Sequence, residues 1–163
     1  MNKIMIIGSP GSGKSTFSKE LSKKINLPLF HLDLLNWKSD GTTVDKSIFL
    51  EKLKNIIDKP KWIIDGNYNS SLEMRFEACD TVIFLDYDVE TCINGVLYRR
   101  GKKRTDMPFI EPEENIDETF LNFVKSYPVD SKPAVLKLIE KYHFKQVYIF
   151  KSRDEAKHFL NNL

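Results

Sequence analysis

Short apolar runs alternate with longer segments in which apolar residues recur every three or four positions, from one end of the chain to the other. Ile4 to Ile7, Leu29 to Leu32, Trp62 to Ile64, Val82 to Leu85 and Val147 to Phe150 are the strand candidates. Runs this short and this rich in Ile and Val suit strands covered on both faces. Thr16 to Ile25, Asp45 to Ile57, Val89 to Leu97 and Val135 to Tyr142 have helical spacing, and Arg153 to Leu163 reads as a closing helix. Alternation of this kind builds a parallel sheet through right-handed crossovers. The rhythm breaks at Gly101 to Asn115, where Gly101, Pro108 and Pro112 stand among mixed charges. That stretch reads as a mobile excursion within one domain.

Composition narrows the class. A chain of 163 residues with 41% hydrophobic content is one domain, residues 1–163, with a sizeable core. Its net charge of +2 points to neither a nucleic-acid nor a membrane partner. Cys79 and Cys92 form no metal-binding pair and suit a reducing compartment. The apolar run before Gly8 is too short for a signal peptide, and no stretch approaches the roughly 20 apolar residues of a bilayer span. The expectation is a soluble, cytoplasmic protein, for which monomer and dimer are both compatible.

The first strand candidate runs into Gly8-Ser9-Pro10-Gly11-Ser12-Gly13-Lys14-Ser15, and an amphipathic helix comes next. This is the phosphate-loop pattern G-x-x-x-x-G-K-S/T in its required context. Glycines let successive N–H groups turn inward toward phosphate oxygens. The helix beginning near Lys14 adds its positive dipole end. The pattern predicts ATP binding by Gly8, Pro10, Gly11, Ser12, Gly13, Lys14, Ser15 and Thr16. Lys14 would reach the β- and γ-phosphates, and Ser15 would ligate Mg²⁺.

Ligands of open parallel sheets bind beyond the strands' C-terminal ends. Asp33 and Asp65 stand there, each also a candidate cap for the helix or turn after it. Asp65 is expected to hold Mg²⁺ through water, and Asp33 to orient or deprotonate an acceptor hydroxyl. Gly66 and Asn67 join them as acceptor-binding candidates. His31 reads as a packed strand residue, Trp37 as packing or a stacking surface, and Asp86 and Asp88 as helix caps. Arg99, Arg100 and Arg104 cluster where a helix meets the irregular segment. They predict a lid, about residues 99–115, that closes over the transferring phosphate, with Arg100 and Arg104 sharing a helix face if the helix continues past Gly101. Arg75 either clamps an anionic acceptor or pairs with Glu73 or Glu77. Ser152 and Arg153 come directly after the last strand, near a possible nucleotide base.

Taken together, these residues resemble the adenylate-kinase-like P-loop kinases, and more closely the bacterial DNA topology modulation proteins of the FlaR type. The resemblance spans nearly the whole chain. It rests on the loop, on His31-Leu32-Asp33 with Trp37, on Trp62 to Tyr68, and on Gly101-Lys102-Lys103-Arg104-Thr105-Asp106-Met107. It implies a three-layer α/β fold, a five-stranded parallel sheet in order 2-3-1-4-5 with helices on both faces, and a lid after the fourth strand. It also implies transfer of the γ-phosphoryl group of ATP to a nucleotide or small hydroxyl acceptor. The alternative is a nucleotide-gated regulator. Adenylate kinases carry Asp-Gly-Phe-Pro-Arg after the third strand, whereas this chain has Asp65-Gly66-Asn67-Tyr68-Asn69. An acceptor-phosphate arginine at that place is missing, which leaves Arg75 as the candidate substitute.

Overall fold

The run at the start of the chain becomes β1 (Lys3–Gly8), the central strand of a parallel sheet. This is seen in a computed structural model that describes residues 1–163. The other strands are β2 (Leu29–His31), β3 (Trp62–Asp65), β4 (Thr81–Leu85) and β5 (Gln146–Phe150), in the order β2-β3-β1-β4-β5. Register brings His31 level with Asp65, and Asp65 level with Ile6, at one edge of the sheet. That edge is where the first loop leaves β1.

Strand side chains alternate between two hydrophobic layers, as a period of two demands. Met5, Ile7, Ile64, Val82 and Phe84 face one layer. It is completed by α3 (Lys46–Ile57), α4 (Leu72–Ala78) and α7 (Lys132–Lys141). Ile4, Ile6, Ile63, Ile83 and Leu85 face the other. There α1 (Lys14–Ile25), α5 (Val89–Arg99) and α8 (Arg153–Asn161) supply Phe17, Leu21, Cys92, Val96, Ala156 and Leu160. The remaining helices are α2 (Leu32–Asn36) and α6 (Glu118–Asp130). α6 contributes Val124 to one layer and Tyr127 to the other. No helix is long and apolar enough to cross a membrane.

Two expectations change here. Leu32 and Asp33 belong to α2, a single turn that interrupts the apolar run after only three strand residues. The helix carrying Arg99 ends at that residue, and Gly101 turns the chain away with φ 68°. Arg100 and Arg104 therefore share no helix face. Residues 100–117 contain neither helix nor strand.

Candidate active site

The loop Gly8 to Ser15 joins β1 to α1 and lies directly on α5. A Cβ on Gly11 would sit 1.9 Å from the Cys92 carbonyl oxygen, and one on Gly95 would sit 2.0 Å from the Gly11 carbonyl oxygen. No side chain fits between loop and helix, so both positions require glycine. Gly11 also has φ 81°, a left-handed backbone. Gly95 is a site-shaping residue absent from the sequence expectations. Its signal was a small residue inside an otherwise regular helix.

The loop's polar atoms fit a bound triphosphate. The Ser9 and Ser12 hydroxyls are buried without a hydrogen-bond partner, which is costly unless a ligand supplies one. Lys14 Nζ donates to the Gly8 and Ser9 carbonyls at 2.9 and 3.0 Å. Burial lowers its pKa to about 8, against the opposing pull of Asp65 and Asp33. Thr16 is exposed beside the loop, and Pro10 lines the adjoining cleft. From α8, the Arg153 guanidinium donates to the Gly11 carbonyl at 3.3 Å, while Ser152 caps that helix.

Two carboxylates with hydroxyl partners lie past the loop, and no group of three or more His, Cys, Asp or Glu side chains is placed to hold a metal ion. The Ser15 hydroxyl donates to Asp106 Oδ2 at 2.6 Å. Burial would raise the Asp106 pKa, but the Ser15 hydrogen bond and the Arg104 charge hold it below the ordinary carboxylate value. Asp65, 4% exposed, accepts from Ser18 Oγ at 2.5 Å and from His31 Nδ1 at 2.9 Å. His31 is thus a buried partner of Asp65, packed as expected of a strand residue.

Asp33 projects from α2 and accepts a 2.7 Å hydrogen bond from Tyr68. Burial raises its pKa, and the Tyr68 bond and Lys14 oppose that rise. Asp33, Lys14, Trp37, Tyr68, Arg99 and Phe109 line a cleft of about 480 Å³ that also reaches Gly66, Asn67, Arg100 and Arg104. Trp37 and Phe109 meet edge to face across it, with ring centroids 5.7 Å apart. Asn67 Oδ1 accepts from the Gly8 amide at 3.3 Å, which ties the acceptor side to the phosphate loop.

The arginines at and after the end of α5 are partly engaged, and Arg104, like Arg100, keeps a buried Nε without a hydrogen-bond partner. Arg99 is bound to both oxygens of Glu111 at 3.1 and 3.2 Å. Arg104 contacts Asp106 at 3.3 Å and Glu111 at 3.6 Å. Arg100 donates to the Asn115 carbonyl at 3.0 Å, and its Nε is buried without a partner. Arg99 and Glu111 are thus central to the cleft, although the sequence marked only the arginine cluster.

Arg75 requires a correction. It is 0% exposed, and its guanidinium donates to the carbonyls of Gly66, Asn67, Tyr68 and Ser71. Burial lowers its pKa to about 9, which leaves it charged at neutral pH. An arginine saturated by backbone inside the core cannot clamp an acceptor. Neither surface partner holds, because Glu73 pairs with Lys141 and Glu77 accepts from Tyr142.

Sheet order and phosphate loop give a P-loop kinase-like α/β fold, and the chain is similar in sequence to adenylate and shikimate kinases. An adenylate kinase of Buchnera aphidicola subsp. Baizongia pistaciae is 26% identical over an alignment covering 90% of this chain and 81% of its own length. Shikimate kinase from Bacteroides thetaiotaomicron superposes with a TM-score of 0.57 at 17% identity, covering 98% of this chain and 94% of its own. Deoxyadenosine kinase from M. mycoides, solved with bound dATP, gives 0.55 at 18% identity, covering 99% and 98%. At such identities the two structures speak for the fold. No family model matches the chain.

Proposed function

We propose that this protein uses Mg²⁺-ATP to phosphorylate a hydroxyl group on a small, ring-bearing acceptor held between α2 and the segment 100–117. The observation that carries the reading is Asp33, a half-buried carboxylate facing the same cleft as Lys14 and held by Tyr68. A phosphate acceptor is already anionic and needs no base, whereas a hydroxyl does.

The charges near the cleft support the same acceptor class. Arg75 is locked in the core, Arg99 and Arg104 face Glu111, and Arg100 is bound to main chain. Arg100 and Arg104 each keep a buried Nε without a hydrogen-bond partner, donors that the transferring phosphate would take up, and Arg99, the third arginine lining the cleft, is held by Glu111. Trp37 and Phe109 offer apolar ring surfaces to the acceptor.

Bound Mg²⁺-ATP would supply the electrophilic phosphorus and a cation that offsets the charge of its oxygens. The loop amides, the α1 N-terminus, Lys14 and the Ser9 and Ser12 hydroxyls would hold the phosphates. Ser15 would ligate the cation, with Asp65 acting through water. Asp33 is placed to take the acceptor proton. Arg100 and Arg104 would add positive charge near the transferring group while the segment excludes water.

The motif set supports placing the chain with FlaR-type proteins. Two buried free cysteines fit a reducing, cytoplasmic setting. A DNA role finds no basic stripe to rest on at a net charge of +2. The test is ADP formation from ATP with panels of nucleosides, nucleoside monophosphates and small alcohols. Acceleration by a neutral hydroxyl compound is expected. Tight ATP binding with no acceptor-dependent turnover would replace the kinase with a nucleotide-gated regulator.

A further inference from the structure

The metal-ligating serine of a phosphate loop is commonly supported by a carboxylate at a neighbouring strand end. In this protein that strand-end carboxylate, Asp65, makes no direct bond to Ser15 and could reach the cation only through water. Asp65 binds Ser18 Oγ at 2.5 Å and His31 Nδ1 at 2.9 Å. Ser15 instead donates to Asp106, 91 residues away in sequence and within the segment after α5.

The direction of that bond matters. A serine hydroxyl has one proton and two lone pairs. With the proton given to Asp106, the lone pairs remain free for a cation, and the carboxylate makes the oxygen a better donor. Asp106 is 5% exposed and lies 3.3 Å from Arg104 Nε, a charge contact without a hydrogen bond. Arg104 in turn contacts Glu111, which holds Arg99 at the end of α5.

We propose that Asp106 is the positioning residue of the cation site, orienting Ser15 from the lid segment in the place usually taken by a strand-end carboxylate. The inference rests on the reading of Gly8 to Ser15 as a Mg²⁺-ATP site. It makes cation affinity and lid seating reciprocal. A cation that binds better to an oriented Ser15 favours the seated segment, and a seated segment favours the cation.

The experiment is calorimetric titration of the full chain with ATP, in EDTA and across a range of Mg²⁺, for wild type, Asp106→Asn, Asp106→Glu and Ser15→Ala. Asp106→Asn should raise the Mg²⁺ concentration giving half of the metal-dependent gain in ATP affinity by about 10- to 100-fold. Its ATP affinity in EDTA should not fall, because losing a carboxylate beside the loop removes repulsion toward the phosphates. Asp106→Glu, which keeps the carboxylate, should recover part of the loss. Adding Asp106→Asn to Ser15→Ala should cost nothing further, because the two act through one oxygen. Equal weakening with and without Mg²⁺ would reduce Asp106 to a structural tie and overturn the proposal, as would an unchanged Mg²⁺ dependence. If wild type binds no ATP under either condition, the phosphate-site reading fails too, and that outcome is distinct from the other two.

Discussion

The Tyr68 hydroxyl donates a 2.7 Å hydrogen bond to Asp33 Oδ1, joining the loop after β3 to the single-turn helix after β2. Both residues line the cleft beside the phosphate loop. The bond therefore sets the position and the charge of the carboxylate proposed to receive the acceptor's proton.

A pH profile tests this pair. Asp33 must be ionised to act as a base, and burial raises its pKa above the ordinary 3.8 while Tyr68 opposes that rise. Activity should therefore fall on the acid side at a higher pH than an unperturbed aspartate would give. Tyr68→Phe removes the opposing bond, so the acid limb of kcat/KM should move to higher pH. Recovery is expected at alkaline pH. Asp33→Asn should lower kcat by about 10²- to 10⁴-fold with ATP affinity retained. An acid limb unmoved in Tyr68→Phe would detach the pair from proton transfer.

Arg75 is expected to matter for stability and not for acceptor choice. Its guanidinium holds the carbonyls of Gly66, Asn67 and Tyr68, the stretch in which Tyr68 takes a left-handed φ of 37°. Arg75→Met would leave those buried acceptors unpaired, at a cost of about 3 kcal/mol or more by denaturant titration. Losses in KM should be similar for neutral and anionic acceptors. A selective loss for phosphate-bearing acceptors would restore the clamp that the geometry argues against.

Gly95→Ala probes the seat of the phosphate loop on α5. The added methyl would lie 2.0 Å from the Gly11 carbonyl oxygen, so the loop or the helix must move. Overpacking of this kind costs about 1–3 kcal/mol, which for a chain of this size lowers Tm by several degrees. ATP affinity should fall with it. Wild-type affinity in a folded Gly95→Ala protein would show that the loop does not depend on this contact.

Much of the fold was legible because strand and helix periods are written into the apolar positions, and parallel order comes from their alternation. Three helices were not. α2 is one turn long and begins inside an apolar run that reads as strand. α4 buries Arg75 among its apolar residues, which blurs the period. α6 carries Pro128 within it and lies just past the irregular segment. Within the site, the phosphate loop was readable because its motif is local. The role of Arg75 was not, since its partners are backbone carbonyls, which leave no mark on the sequence. The Ser15–Asp106 bond was equally hidden, because it depends on how residues 100–117 fold back onto the loop.

The most direct test is calorimetric binding of ATP in Mg²⁺ to wild type and to Lys14→Ala. Lys14 is the cation at the mouth of the loop, and losing a charged hydrogen bond to phosphate costs about 1.5–3 kcal/mol, or more than tenfold in affinity. Wild type should bind ATP, and the variant should bind it at least about tenfold more weakly while keeping its fold by circular dichroism. Equal affinities, or no binding by wild type, would contradict the account.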